Sequence, residues 1–165
     1  MINTSINNKI LPQVISNISY WHHQRNLIEG TTDWAQTKKL FEEFIEVVAA
    51  QIPGEAPQVI VAHLKVWLDD LHKEGRIKSV HPDEAKTALK DGLGDMGVVA
   101  VNLAERNEWT YGDCLHHSYL EIQHRKGKMI NGTFVKESDL PTEAIEERSN
   151  QPNSAFAIPY GGGND

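Results

Sequence analysis

Glu42-Glu43-Phe44-Ile45-Glu46 puts three carboxylates inside one helical turn, and Asp91 and Asp95 form a second acidic pair much later in the chain. Helix positions three and four apart share a face. Glu42 and Glu43 therefore both neighbour Glu46, and Asp91 neighbours Asp95. Like charges at this spacing repel. Such a cluster persists when it is fully solvated, protonated, paired with bases, or gathered around a hard cation that prefers oxygen ligands. A solvated acidic surface is one reading, in a chain with 23 acidic against 16 basic residues. The surroundings favour the cation. Leu40, Phe41, Phe44, Ile45, Val47 and Val48 flank the Glu cluster, while Met96, Val98, Val99, Val101 and Leu103 follow Asp95. Helices apolar round most of their circumference are expected to be buried, and buried carboxylates need partners.

The elements that must position these groups read as helices. Val14, Ile18, Trp21, Arg25 and Ile28 recur at helical spacing, which predicts a first helix from about Pro12 to Glu29, ended by Gly30. Thr31, Thr32 or Asp33 can cap a second helix, which carries the Glu cluster and runs to about Gln51 before Pro53-Gly54. A shorter third helix spans Val59 to Leu71. Gly75 to His81 reads as a loop, and Pro82-Asp83 opens a long fourth helix reaching Arg106. Gly92, Gly94 and Gly97 lie inside it, each costing roughly 1 kcal/mol relative to Ala. They imply either close approach by another helix or a weakened, bent one. Thr110-Tyr111-Gly112-Asp113 resembles a capping box with Asp in place of Glu, opening a fifth helix through about Arg125. Met129 to Val135 alternates around Asn131-Gly132, a small hairpin or tight turn. The expected fold is all-α, an antiparallel bundle of about five helices with a short hairpin near its end. Residues 1–140 form one domain and residues 141–165 a flexible polar tail.

A chain of 165 residues is long enough for one domain with a sizeable core. Its formal charge of −7 argues against a nucleic-acid polymer as partner, although a small phosphorylated ligand can be met locally by a metal and a few cations. Cys114 is the only cysteine, which excludes an internal disulfide and fits a reducing compartment. No apolar run is long enough to span a membrane, and the Asn-rich amino terminus lacks a signal-peptide pattern. A cytoplasmic protein is expected.

The helix with Glu-Glu-x-x-Glu, followed by Gly94-Asp95-Met96 and Val98-Val99-Ala100-Val101-Asn102-Leu103-Ala104-Glu105, resembles the MazG-like nucleoside triphosphate pyrophosphohydrolases. The likeness spans roughly Tyr20 to Leu140. Its flanks, Trp21 to Ile28 before the Glu helix and Arg125 to Lys136 after the last helix, are most similar to phage-encoded members. The resemblance implies helices assembled as homodimers or homotetramers, with Mg²⁺, or Mn²⁺ in its place, held by carboxylates from two helices. It also implies hydrolysis of a (deoxy)nucleoside triphosphate between the α and β phosphates. Glu43 and Glu46 match the metal-binding Glu residues of the first motif, and Asp95 matches the terminal Asp of the second. The family's second motif is Glu-x-x-Asp, whereas Gly92 stands three before Asp95 here; Asp91, four before, lies on roughly the same face and can substitute. The segment around residues 57–71 is an insertion relative to the family.

Glu42 is the candidate for the base that takes a proton from the attacking water, or an outer metal ligand; an exposed surface Glu is the alternative. Lys39, one turn before, pairs with a carboxylate or touches the triphosphate. Arg125 and Lys128 are matched to phosphate contacts, although basic residues at a helix end also suit the helix dipole alone. Trp21 is placed to stack on a base, with His22, Arg25 and Asn26 reading its edge or touching phosphate; equally, Trp21 sits on the apolar stripe of the first helix. Asn102 shares the face of Asp95 and reads as a buried sugar or base contact, or as an interhelical hydrogen bond. Three other readings compete. Gly92 allows a nucleotide-binding module of this fold that has lost catalysis. Glu121-Ile122-Gln123-His124 is one half of a di-iron pattern that needs two such motifs. A purely structural helical protein leaves the carboxylates unexplained.

Overall fold

The computed structural model describes residues 4–130 and 133–140. It is predominantly helical, with five α-helices and one two-stranded sheet among the described residues. In chain order these are α1 (Thr4–Gln24), α2 (Asp33–Gln51), α3 (Pro57–Lys73), a 3-10 turn (Pro82–Glu84), α4 (Ala85–Arg106), α5 (Tyr111–Ile122), β1 (Gly127–Ile130), β2 (Thr133–Lys136) and a last 3-10 turn (Glu137–Asp139). No helix among the described residues is long and apolar enough to cross a membrane.

Local chemistry accounts for most boundaries. Thr32 is the cap of α2, its hydroxyl accepting from the Ala35 N–H at 3.2 Å. Pro57 opens α3, where a missing N–H costs nothing. The capping box of α5 is present: the Thr110 hydroxyl accepts from the Asp113 N–H at 3.1 Å, and the Asp113 carboxylate accepts from the Thr110 N–H at 3.4 Å. The hairpin pairs antiparallel in the register Gly127 with Lys136 and Ile130 with Thr133; the Asn131-Gly132 turn itself lies outside the described residues, as does the polar segment 141–165. Gly127 is required there, because a Cβ would collide with the Val135 carbonyl and the Phe134 ring.

Helix α1 differs from expectation at both ends. It extends back through Thr4 with Pro12 inside it, and it stops at Gln24 rather than Glu29. The reason for the stop is a left-handed residue, Asn26, at φ 54°. Around it the Leu27 N–H reaches back to the His22 carbonyl at 2.9 Å and the Asn26 N–H to the His23 carbonyl at 3.1 Å, which ends the helical ladder. Helices α3 and α4 end the same way, at Gly75 and at Glu108 with φ 68° and 64°, with Arg76 and Trp109 N–H groups bonding back to the Leu71 and Ala104 carbonyls.

The packed part of the chain is the contact of α1 with α5. Val14 and Trp21, both buried, lie two turns apart on one face of α1. The Trp21 indole N–H donates to the Ile122 carbonyl at 2.8 Å, and its ring meets Phe134 of β2 edge-on at 5.7 Å. The Arg25 guanidinium lies over the indole at 4.4 Å and donates to the Arg125 carbonyl at 2.9 and 3.2 Å and to the Gln123 carbonyl at 3.4 Å. These carbonyls lie at and just past the end of α5, where the Ile122 carbonyl also accepts from the Arg125 N–H at 2.8 Å. Helix α5 therefore stops at Ile122, short of the expected Arg125, because the chain turns here to meet Arg25 and enter β1.

Helix α2 packs on α3, with Phe44 and Trp67 ring centroids 6.5 Å apart and Val48 buried. Helix α4 packs on α5, with Ala104 buried. Between α2 and α4 there is at most marginal contact. The expectation that both acidic helices are buried all round is thereby corrected: Leu40, Phe41, Phe44, Val47, Leu89, Leu93, Met96, Val98, Val99 and Val101 are all exposed. Among the described residues α2 packs mainly on α3 and α4 mainly on α5, which leaves much of each helix's apolar surface uncovered.

Two stability predictions follow from the helix ends. Trp21→Phe keeps the ring but loses its donor, and Arg25→Met strips the carbonyls of a charged one; urea denaturation should show losses of about 1 and about 2 kcal/mol respectively, and unchanged midpoints would show that the α5 end needs neither group. Glu108→Gly should stabilise the chain by about 1 kcal/mol, because it relieves a left-handed backbone on a residue with a Cβ.

Candidate functional site

On α2, Lys39 reaches both first carboxylates, its Nζ 3.1 Å from Glu42 and 3.0 Å from Glu43. The pairing expected for Lys39 is therefore present. Burial works against the charged ammonium, but the hydrogen bonds to Glu43 and Glu42 outweigh it, and the Lys39 pKa is raised. All three partners remain more than half exposed, so the pairs contribute little stability on their own; their effect is to hold two carboxylates and one cation in a fixed arrangement. Glu46 lies one turn on, exposed on the same face.

On α4, Asp91 and Asp95 are exposed and one turn apart, and Asn102 follows on the same face. Asn102 is exposed, not buried as expected, so nothing about its burial demands a partner. Gly92, Gly94 and Gly97 have open space where a Cβ would stand; within the chain no helix makes the close approach that these glycines allow. A side chain at position 92 would fit without collision.

The structure does not bring the two acidic faces together in one chain. Among the described residues, no group of three or more His, Cys, Asp or Glu side chains is gathered to hold a metal ion. Each acidic face points away from the helix's own packing partner: Val48, buried toward α3, lies across α2 from Glu42 and Glu46, and Ala104, buried toward α5, lies across α4 from Asp91 and Asp95. Two shallow depressions run along α3, one lined by Gln58, Val59, Ala62, His63 and Val66 and the other by Trp67, Asp70, Leu71, Glu74 and Arg76; neither includes a carboxylate of α2 or α4. Glu121, from the Glu-x-x-His pattern of the di-iron alternative, faces His117 at 3.6 Å.

The residues expected to contact base and phosphate from α1 are committed to the fold. Trp21 is buried with its donor used, Arg25 caps α5, and Asn26 is the left-handed end of α1. Arg125 is half-buried and gives its carbonyl to Arg25, while Lys128 stands in β1 opposite Val135. Phe134 is the residue that sequence reading passed over; it stands beside the equally apolar Val135, so the pattern of β2 does not say which of the two faces inward, and only the fold shows that Phe134 meets Trp21. Compared with known proteins, the chain matches no family model, no curated sequence and no solved structure.

His22 is half-buried beside Trp21, its ring edge-on to the indole at 5.5 Å. Burial, and secondarily the neighbouring His23, hold its pKa below the ordinary value. The unfolded chain then takes up a proton more readily than the folded one, so this contribution is complete above about pH 6.5 and is lost as pH falls below it. Melting temperature should drop on acidification through that range, and His22→Gln should flatten the drop; a variant with the same pH profile would remove His22 as its source.

Proposed function

We propose that this protein is a metal-dependent nucleoside triphosphate pyrophosphohydrolase, cleaving a (deoxy)nucleoside triphosphate to the monophosphate and pyrophosphate. The observation that carries the reading is the donor set itself. Glu43, Glu46, Asp91 and Asp95 are hard oxygen donors, two on each of two helices, in the order and with the flanking residues that resemble the MazG-like enzymes. Oxygen donors of this kind suit Mg²⁺ or Mn²⁺ and not a soft metal. A bound divalent ion supplies neutralisation of the charge that develops on the phosphate oxygens.

The side chains divide the remaining work. Glu43 and Glu46 on α2, with Asp95 and Asp91 on α4, would hold the ion if the two acidic faces, apart in the single chain, were brought together; Asp91 would take the place left empty by Gly92. Glu42, one residue from a metal ligand, accepts the proton of the attacking water. Lys39 keeps Glu42 and Glu43 from swinging apart under their mutual repulsion. Arg125 and Lys128, at the end of α5 and the start of β1, offer cations to the phosphate tail. Trp21, His22, Arg25 and Asn26 shape the neighbouring end of α1, and Asn102 offers an amide to the sugar or base. The helices work as a bundle closed in a homodimer or homotetramer, in the cytoplasm.

A second reading is favoured by one observation: Gly92 offers no ligand where the family has Glu, so the chain could bind nucleotide without turning it over.

The deciding measurement is a screen of the common nucleoside triphosphates with Mg²⁺ and with Mn²⁺, separating pyrophosphate from orthophosphate. Pyrophosphate release is expected; tight binding without release would select the binding module. Glu46→Ala and Asp95→Ala should each lower turnover by at least about 100-fold, as expected for loss of a group that stabilises transition-state charge, while circular dichroism and melting stay as in the parent because both side chains are exposed. Full rate in either variant would remove that residue from the site. Gly92→Glu should fold normally, given the open space there, and should retain or raise the rate.

A further inference from the structure

The contacts expected from α1 are used up in the fold: the Trp21 indole is buried against the end of α5, and the Arg25 guanidinium donates to the carbonyls beyond it. A nucleotide's base and phosphates therefore need an aromatic ring and a cation from elsewhere. Helix α2 carries both beside its carboxylates.

Trp34, in the first turn of α2, is 82% exposed, the most exposed large apolar side chain among the described residues. Tryptophan is highly buried on average. The Trp34 indole makes no hydrogen bond and no ring contact among the described residues, whereas Phe41, two turns on along the same face, stacks on Phe44 at 6.3 Å. Trp34, Lys38, Glu42 and Glu46 follow one another at intervals of four, the spacing of a single ridge along a helix surface. Each step rises about 6 Å, so the ridge runs about 18 Å along the axis. Lys38 is exposed and makes no ion pair among the described residues, while Lys39 is engaged by Glu42 and Glu43. One ridge thus presents, in order, a free aromatic face, a free ammonium and two oxygen donors. A nucleoside triphosphate with its divalent ion has the matching order of base, phosphates and metal.

We propose that Trp34 is a base-stacking platform and Lys38 its companion cation, with the nucleotide lying along this ridge and its phosphate tail directed toward Glu42 and Glu46. The direction of the tail rests on the hydrolase reading. The hydroxyls and amide around Trp34 are engaged within the helix start: Thr32 accepts from the Ala35 N–H at 3.2 Å, Thr37 donates to the Asp33 carbonyl at 2.8 Å, and Gln36 donates to the Thr31 hydroxyl at 3.4 Å. Asp33, adjacent in sequence, does not share the face of Trp34. The platform therefore reads the face of a base and not its edge. An indole stacks on any base, since every base has a π-face. The substrate class is nucleoside triphosphates without selection of one base edge, two-ring bases being held more tightly than one-ring bases because they overlap the indole over a larger area.

Isothermal titration calorimetry of the full chain with Mg²⁺ tests this, using the α,β-imido analogues of dATP and dCTP, which resist cleavage between the α and β phosphates, and inorganic tripolyphosphate, which has no base. Trp34→Ala should weaken both analogues by about 10-fold, the adenine one more, and leave tripolyphosphate unchanged. Trp34→Phe should recover most of the lost affinity, and Lys38→Gln should weaken all three ligands alike. Both side chains are exposed, so circular dichroism of the variants should match the parent. A Trp34→Ala protein that binds the analogues like the parent overturns the proposal, as does one that loses tripolyphosphate to the same extent, or a parent that binds none of the three; unchanged binding in Lys38→Gln removes the cation from it. Pyrophosphate release measured in parallel separates the two ideas. Analogue binding that depends on Trp34 in a protein without turnover removes the hydrolase and leaves the platform, whereas turnover with a KM indifferent to Trp34→Ala removes the platform and leaves the hydrolase.

Discussion

The closure of this chain depends on α1 satisfying the carbonyls where α5 ends. Carbonyls at a helix end gain from added donors, and at this half-buried end two of the donors come from about 100 residues away, Trp21 to Ile122 and Arg25 to Arg125. The buried indole supplies one hydrogen bond; the guanidinium stacks on the indole and forks across the next carbonyls. That single contact sets the direction of the chain into β1, and the hairpin then returns Phe134 to the same indole. The first helix, the last helix and the hairpin are held as one unit for this reason.

The acidic helices belong to a different regime. Among the described residues α2 packs mainly on α3 and α4 mainly on α5, and on each the carboxylates occupy the side turned away from that partner. Acidity and packing are thus separated round the same helix: the apolar stripe that holds the helix in place and the acidic stripe do not compete for the same face. The cost is an apolar remainder that a single chain leaves in water. The exposed apolar surface of α4 borders its carboxylates, and its glycines leave open space beside the helix.

The ion pairs on α2 follow the same logic at smaller scale. Three carboxylates in one turn repel, and Lys39 relieves two of them from one turn away. Exposed pairs of this kind add little to stability, but they restrict how the carboxylates can move.

Much of the architecture was legible in the residues themselves. Thr32, Pro57 and the Thr110–Asp113 box mark helix starts through hydrogen bonds that span three residues, and Gly75 marks an end through one left-handed dihedral; such rules operate within a turn, so a linear reading captures them. The pairing of Lys39 with the Glu cluster was legible for the same reason. What escaped was whatever depends on distant contacts or on one residue's unusual backbone. Asn26 and Glu108 take the left-handed conformation without being glycine, which no spacing announces. Trp21 and Arg25 read as easily as ligand contacts as they do as packing groups until the α5 carbonyls stand beside them. The apolar surroundings of Glu46 and Asp95 implied burial, but burial is a property of neighbours, and within one chain the neighbours are too few. The sequence alone determined five helices and the acidic stripes they carry, because periodicity and caps are local; only tertiary structure decided that α1 closes on α5 and that the stripes face outward, because both depend on which surfaces meet.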